Sequence, residues 1–247
     1  MLFLSEILGQ PVRDAGGEAI AVTSDLVGRW QLDHRLAVVG LVARVGSRRF
    51  FLPDTQVETL DRGGARLLSF QVNFQQFERR PGEILLANDV MDHRLIDVRH
   101  RKVIRVNDIV LAETDGRFFV QAVDVGLPAL LRRLSPRALS GTFSATSLVD
   151  WRDVEWLPSA ETEGMVKPTF PLLARLHPVE VAHIADELPP RQAADIVESL
   201  EDDEAAEVLS EISDEHQPGV LRNLGEERAA DILEEMEPDD AADLLAK

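Results

Sequence analysis

Residues 224–247 read LGEERAADILEE followed by MEPDDAADLLAK, two twelve-residue stretches built in one order: a large apolar residue, a polar turn, an Ala pair, an acid and two aliphatics. Counted back in twelves from the end, the chain holds six such units, beginning at Leu176, Leu188, Leu200, Ile212, Leu224 and Met236. The sixth and seventh positions include Ala193-Ala194, Ala205-Ala206, Ala229-Ala230 and Ala241-Ala242, and the ninth and tenth are aliphatic in nearly every unit. Positions six, nine and ten and the first of the next unit fall at i, i+3, i+4 and i+7, one face of a helix. The spacing predicts one short helix per unit. Pro189-Pro190, Ser213-Asp214 and Glu237-Pro238 at positions two and three suit helix starts, where Pro has no amide bond to lose and an acid meets the positive end of the dipole.

A helix of two to three turns is marginal alone in water, because nucleation fixes several residues for one bond. Such helices must stack. Small Ala pairs let neighbours approach closely, and the aliphatics of successive units form one continuous core, as in a solenoid. The fourth unit carries Pro218-Gly219 where others have Ala and an acid, so a late-starting or kinked helix is expected there.

The 247-residue chain is expected to fold as two or three domains. Its net charge of −18 is unevenly spread: residues 171–247 hold 22 Asp and Glu against 5 Lys and Arg, leaving 22 against 21 for residues 1–170. So acidic a surface repels phosphate backbones, which argues against nucleic-acid binding. The basic clusters at Arg48-Arg49, Arg79-Arg80 and Arg99 to Lys102 read as solvated surface. Cysteine is absent, which excludes disulfides and thiolate metal sites and fits a reducing compartment. MLFLSEILG lacks the basic start and long apolar run of a signal peptide, and no apolar run reaches the ~18 residues of a spanning helix, so a soluble chain is expected.

The near-neutral part alternates in short stretches such as EAIAVTSDLV, LAVVGLVARV and RRFFLP, which read as strands. A second repeat runs through it. GQPVRDAGGEAIAVTSDLV matches DHRLIDVRHRKVIRVNDIV at an offset of 83, pairing Asp14 with Asp97 and Asp25 with Asp108. RLAVVGLV then matches RFFVQAVD, and LPDTQVETL matches VDWRDVEWL after an insertion containing LPALLRRL. Two similar barrels in tandem are expected. The pattern resembles the PRC-barrel, a small β-barrel, and that resemblance implies a protein-docking module without catalytic residues. Asp14 and Asp97 read as turn residues rather than ligands, and Trp151 and Trp156 as core or interdomain packing. The aperiodic LPSAETEGMVKPTFP, with Pro158, Pro168 and Pro171, reads as a linker.

Positions four and eight of a unit are i, i+4 neighbours opposite the apolar stripe. In three units both are acidic: Asp203 with Glu207, Glu227 with Asp231, and Asp239 with Asp243. Like charges so placed repel by a few tenths of a kcal/mol. Solvation and salt offset the repulsion in one reading. A hard divalent cation does so in the other, since Mg2+ keeps most of its waters and needs one or two carboxylates. Spacing alone does not choose between them.

The run SLEDDEAAEVLSEISDEHQPGVLRNLGEERAADILEEMEPDDAADLL resembles the cytosolic N domain of MgtE-type magnesium channels, a right-handed superhelix of short helices, over about residues 170–247. The resemblance implies a neighbouring pair of CBS domains with Mg2+ between them, holding a membrane channel closed when the ion is plentiful. Matched motif to motif, it places acidic contributors at Glu207 in AAEVLS and at Asp239 and Asp243 in DDAADLL; Asp203, Glu227 and Asp231 are weaker candidates. The CBS pair and the membrane domain have no counterpart in this sequence.

The expected architecture is therefore multi-domain α and β: two small PRC-type β-barrels at residues 1–80 and 81–157, a linker at 158–171, and an all-α superhelix at 172–247. An enzyme has least support. His34, His93, His100, His177, His183 and His216 are scattered, and neither an HExxH motif nor a Gly-rich phosphate loop appears. Two classes remain. One is a cytoplasmic Mg2+-sensing regulatory module, brought to the inner face of a membrane by a missing domain or a partner, with CBS domains and a membrane channel domain as its partners. The other is a scaffold whose barrels and superhelix bind proteins or a second copy of the chain, its acids serving solubility.

Overall fold

The computed structural model describes residues 1–32, 35–70, 75–129, 147–157 and 170–246. His34, the insertion from residue 130 onward and the linker as far as residue 169 lie outside the described residues. The described residues divide into two compact units, the first drawn from 1–93 and 105–152, the second from 94–104 and from 153 onward.

Fifteen strands are present among the described residues. The first copy of the strand repeat supplies β1 (Leu2–Phe3), β2 (Pro11–Arg13), β3 (Ala19–Trp30), β4 (Leu36–Val45), β5 (Arg48–Pro53), β6 (Val57–Asp61), β7 (Gly64–Leu67) and β8 (Gln75–Gln76). The second supplies β9 (Glu83–Leu85), β10 (Arg94–Asp97), β11 (Lys102–Arg105), β12 (Asp108–Thr114), β13 (Arg117–Asp124), β14 (Leu148–Asp150) and β15 (Val154–Trp156).

In the first unit twelve strands join one nearly closed, barrel-like sheet, along the path β1-β12-β13-β4-β3-β2-β7-β6 with β5, β8, β9 and β14 branching from it. β4 is buried along almost its whole length, as its run of Val, Leu and Ala requires. The offset of 83 is preserved in the hydrogen bonds. Gly9 donates to Thr23 and Thr23 to Gln10, both at 2.8 Å; 83 residues on, Asp92 donates to Val106 at 2.8 Å and Val106 to His93 at 3.0 Å. Gly9 and Asp92 both take left-handed backbone, with φ of 72° and 66°. Each copy also repeats a short 3₁₀ turn, Asp54–Gln56 before β6 and Trp151–Asp153 before β15. The copies exchange their leading strands: β1 pairs with β12 of the second copy, and β9 pairs with β3 of the first.

Asp14 and Asp97 both fold into turns, accepting the Glu18 N–H at 2.9 Å and the His100 N–H at 3.0 Å. Trp151 is buried and stacks on Trp30 with ring centroids 5.7 Å apart. Of the Arg79-Arg80 cluster only Arg79 is drawn in from the solvated surface, while Arg80 stays exposed. Arg79 donates to the buried Asp89 carboxylate at 2.6 Å, and Arg80 Nε lies 2.8 Å from the buried Glu83 carboxylate. Buried carboxylates need such partners, and their burial was not visible in local sequence.

The second unit combines a three-stranded sheet, β11-β10-β15, with six helices. Contacts thus group part of residues 81–157 with the helices. After α1 (Leu4–Ile7) of the first unit, these are α2 (Pro178–Asp186), α3 (Pro190–Glu198), α4 (Asp202–Glu211), α5 (Gln217–Leu221), α6 (Glu226–Glu235) and α7 (Pro238–Leu245). There is one helix per twelve-residue unit. Pro178, Pro190 and Pro238 open their helices, and α5 begins late, ahead of Pro218-Gly219. The helices stack in two rows, α2 on α4 on α6 and α3 on α5 on α7. Ala193, Ala194, Ala205 and Ala206 are buried between them, as close approach requires, whereas Ala230 and Ala242 near the end of the stack are exposed. One core runs from Ile96 and Leu157 through Phe170, Leu173 and Val181 to Leu244. The β10–β11 hairpin clasps the first helices: Arg101 Nε lies 3.0 Å from Glu180 Oε1, and the Val103 N–H donates to Glu187 at 3.0 Å.

Candidate functional site

Each helix of the stack turns its aliphatic stripe inward, so positions four and eight of a unit face water. Asp203, Glu207, Glu227, Asp231, Asp239 and Asp243 are all exposed. Asp203 and Glu207 share α4, Glu227 and Asp231 share α6, and Asp239 and Asp243 share α7, so the three i, i+4 pairs exist as helix-surface neighbours. Among the described residues none of these six carboxylates forms an ion pair with Lys or Arg. The acids at the helix starts are favoured by the dipole: Asp203 in α4, Glu227 in α6 and Asp239 in α7 lie in first turns. Glu207, Asp231 and Asp243 stand beyond them and carry the repulsion without that offset.

The rows of the stack decide which carboxylates approach one another. α4, with Glu207, stacks on α2 and α6, while α7, with Asp239 and Asp243, stacks on α5. Among the described residues no three Asp, Glu or His side chains converge closely enough to hold a metal ion. Glu207, Asp239 and Asp243 therefore form no common cage within this chain.

Two polar links between alternate helices were not foreseen. Arg228 of α6 pairs with Asp202 at the start of α4 and donates to the Leu200 carbonyl. Asp186, at the end of α2, accepts the Ser213 hydroxyl at 2.8 Å and its N–H at 3.2 Å. Both links span slightly more than two twelve-residue units. An Arg in so acidic a run was the available signal for the first.

Residues 176–247 match the family model of the MgtE intracellular N domain. The MgtE N-domain match covers less than a third of the 247 residues and contains all six helices of the stack. Comparison with curated proteins and with solved structures gave no match. Among the described residues no helix is long and apolar enough to cross a membrane.

Proposed function

We propose that the helical unit is a non-catalytic regulatory module of magnesium transport, working at the inner face of a membrane, whose acidic edge answers to Mg2+ together with a CBS partner domain. The observation that carries this reading is the coincidence of the MgtE N-domain match with exposed carboxylate pairs that lack basic partners. Such pairs do not fit a closed metal site. They fit one side of a shared site, because Mg2+ keeps most of its waters and takes one or two carboxylates from a given surface. On this reading Glu207, Asp239 and Asp243 supply this chain's side, with Asp203, Glu227 and Asp231 adding to the negative field. The chain's own part is electrostatic: two acidic surfaces repel, a divalent cation between them lowers that repulsion, and the equilibrium moves toward the closed arrangement by the cation's differential affinity for it.

Thermal unfolding of the full chain, alone and mixed with a CBS domain pair, tests the reading. With Mg2+ at about 100 times its dissociation constant, a specific site adds about 2.7 kcal/mol. No shift with the partner present, or an equal shift from Na+ at matched ionic strength, removes it. A protein-docking role for the first unit is a second reading, favoured by its barrel-like sheet and by the open strand edge described next.

A further inference from the structure

The strand repeat allows a comparison within one chain. By the match of LPDTQVETL to VDWRDVEWL, Glu58 on β6 corresponds to Glu155 on β15. Glu155 is buried and accepts the Leu172 N–H at 2.6 Å, from an arriving stretch whose Phe170 sits in the same core as Leu157. Loss of water on burial pushes its carboxyl up to about 7. In the second copy, then, this strand is covered by a turn of chain ahead of the Leu173–Arg175 3₁₀ helix, which brings a backbone donor and an apolar anchor.

Among the described residues nothing covers Glu58 in this way. It is exposed, and β6 ends the path of the sheet, paired only with β7 among the described residues. All five residues of β6 line a cleft of about 330 Å3, whose far wall is the β12–β13 turn from Glu113 to Phe118. Its floor includes the buried side chains of Leu26, Val38 and Leu41. Its rim carries Asp54, Glu58, Asp61 and Glu113 against one cation, Arg117.

We propose that this cleft binds an extended, basic segment of a partner protein, which adds to the open edge of β6, seats an aliphatic side chain over Leu26 and Leu41, and sets Lys or Arg against the four rim acids. In strand addition the main-chain bonds supply affinity and alternate side chains supply specificity. The acidic rim selects the sign of the partner and speeds encounter. Charge on an edge strand also discourages self-pairing, and that role alone predicts no ligand. The proposal rests on the docking reading and gives it a place and a partner chemistry; it does not depend on whether the helical unit answers to Mg2+.

The test uses the full chain and three blocked, fluorescent hexapeptides: one alternating lysine with valine, one with glutamate in place of lysine, and one with proline in place of valine, which removes backbone donors. Anisotropy measures affinity, and amide chemical-shift mapping locates the peptide. The lysine–valine peptide is expected to shift β6 and the β12–β13 turn, and the other two to bind about tenfold more weakly or worse. Glu58→Lys combined with Asp61→Lys should weaken binding by a similar factor, and Glu113→Lys on the opposite wall serves as an independent variant should the first lose its fold. No binding at millimolar peptide, equal binding of the proline peptide, or affinity unchanged by charge reversal on a folded variant overturns the proposal. Binding of the lysine–valine peptide, together with no Mg2+ effect on the chain mixed with the CBS pair, would sustain this site while removing the ion-sensing reading.

Discussion

Asp25 and Asp108 occupy the same place in the two copies of the strand repeat, and each receives hydrogen bonds from the other copy. Asp25 accepts the N–H groups of Ala87 and Asn88 at 2.7 and 3.1 Å, at the start of the Leu86–Val90 turn. Asp108 accepts the N–H of Ser5 at 3.1 Å and its hydroxyl at 2.5 Å, at the start of α1. Amides at a helix start have no intrahelical acceptor, so each carboxylate satisfies donors that burial would otherwise orphan. Together with the exchange of β1 and β9, this ties each copy to the other at both ends of the repeat.

The Asp25 site makes a prediction about pH. Burial of Asp25 outweighs the N–H groups of Leu26, Ala87 and Asn88 that it accepts, and its carboxyl is pushed up from 3.8 to about 7. The folded chain therefore holds this proton where the unfolded chain has released it. Stability should fall as pH rises between those values and level off above about 7. Asp25→Asn should flatten that decline by an amount on the order of a few kcal/mol, read from urea unfolding at successive pH values. An unchanged pH profile would show that Asp25 is not the titrating group.

Asp108→Ala leaves the Ser5 amide and hydroxyl without their acceptor and should cost about 1–3 kcal/mol. Ser5→Ala should cost less. Because the two side chains share one bond, the double variant should fall short of the sum by at least about 0.5 kcal/mol in denaturant unfolding. Strict additivity would mean that the bond contributes nothing.

The Ala pairs separate close packing from helix propensity. Ala205 is fully buried, whereas Ala242 is exposed. Ala205→Leu should force α4 away from its neighbours at about 1–3 kcal/mol, while Ala242→Leu should stay within about 0.5 kcal/mol. Equal effects on the melting temperature would contradict the stacking described for α4.

Asp243 lies past the first turn of α7, so it repels Asp239 without itself gaining from the helix dipole. Asp243→Asn should raise stability by a few tenths of a kcal/mol at low ionic strength, and the gain should fade in salt. If Mg2+ works at this edge, the gain should disappear at a lower ionic strength of MgCl2 than of NaCl. Calorimetry in the two salts distinguishes these outcomes.

The helix starts at Pro190 and Pro238 and the late start of α5 were legible in the sequence because each depends on residues a few positions apart, whereas Ser213-Asp214, expected at a helix start, lies in the turn ahead of α5. Proline at Pro190 and Pro238 and the pair Pro218-Gly219 act on their own turn of backbone. The same is true of the turns at Asp14 and Asp97. The acidic edge was legible only in part: exposure of Glu207, Asp239 and Asp243 follows from the period, but their mutual placement does not.

By itself, then, the sequence determined one helix per twelve residues, two copies of a strand pattern and an outward line of carboxylates, all consequences of side-chain periodicity along a local backbone. Only the tertiary structure decided that alternate helices stack, that Arg228 meets Asp202 rather than a neighbour on its own helix, that β1 and β9 change places, and that β15 is covered where β6 is open. These join residues from 17 to over 100 positions apart, and such meetings are set by how packed elements turn the chain back on itself, which no short period records.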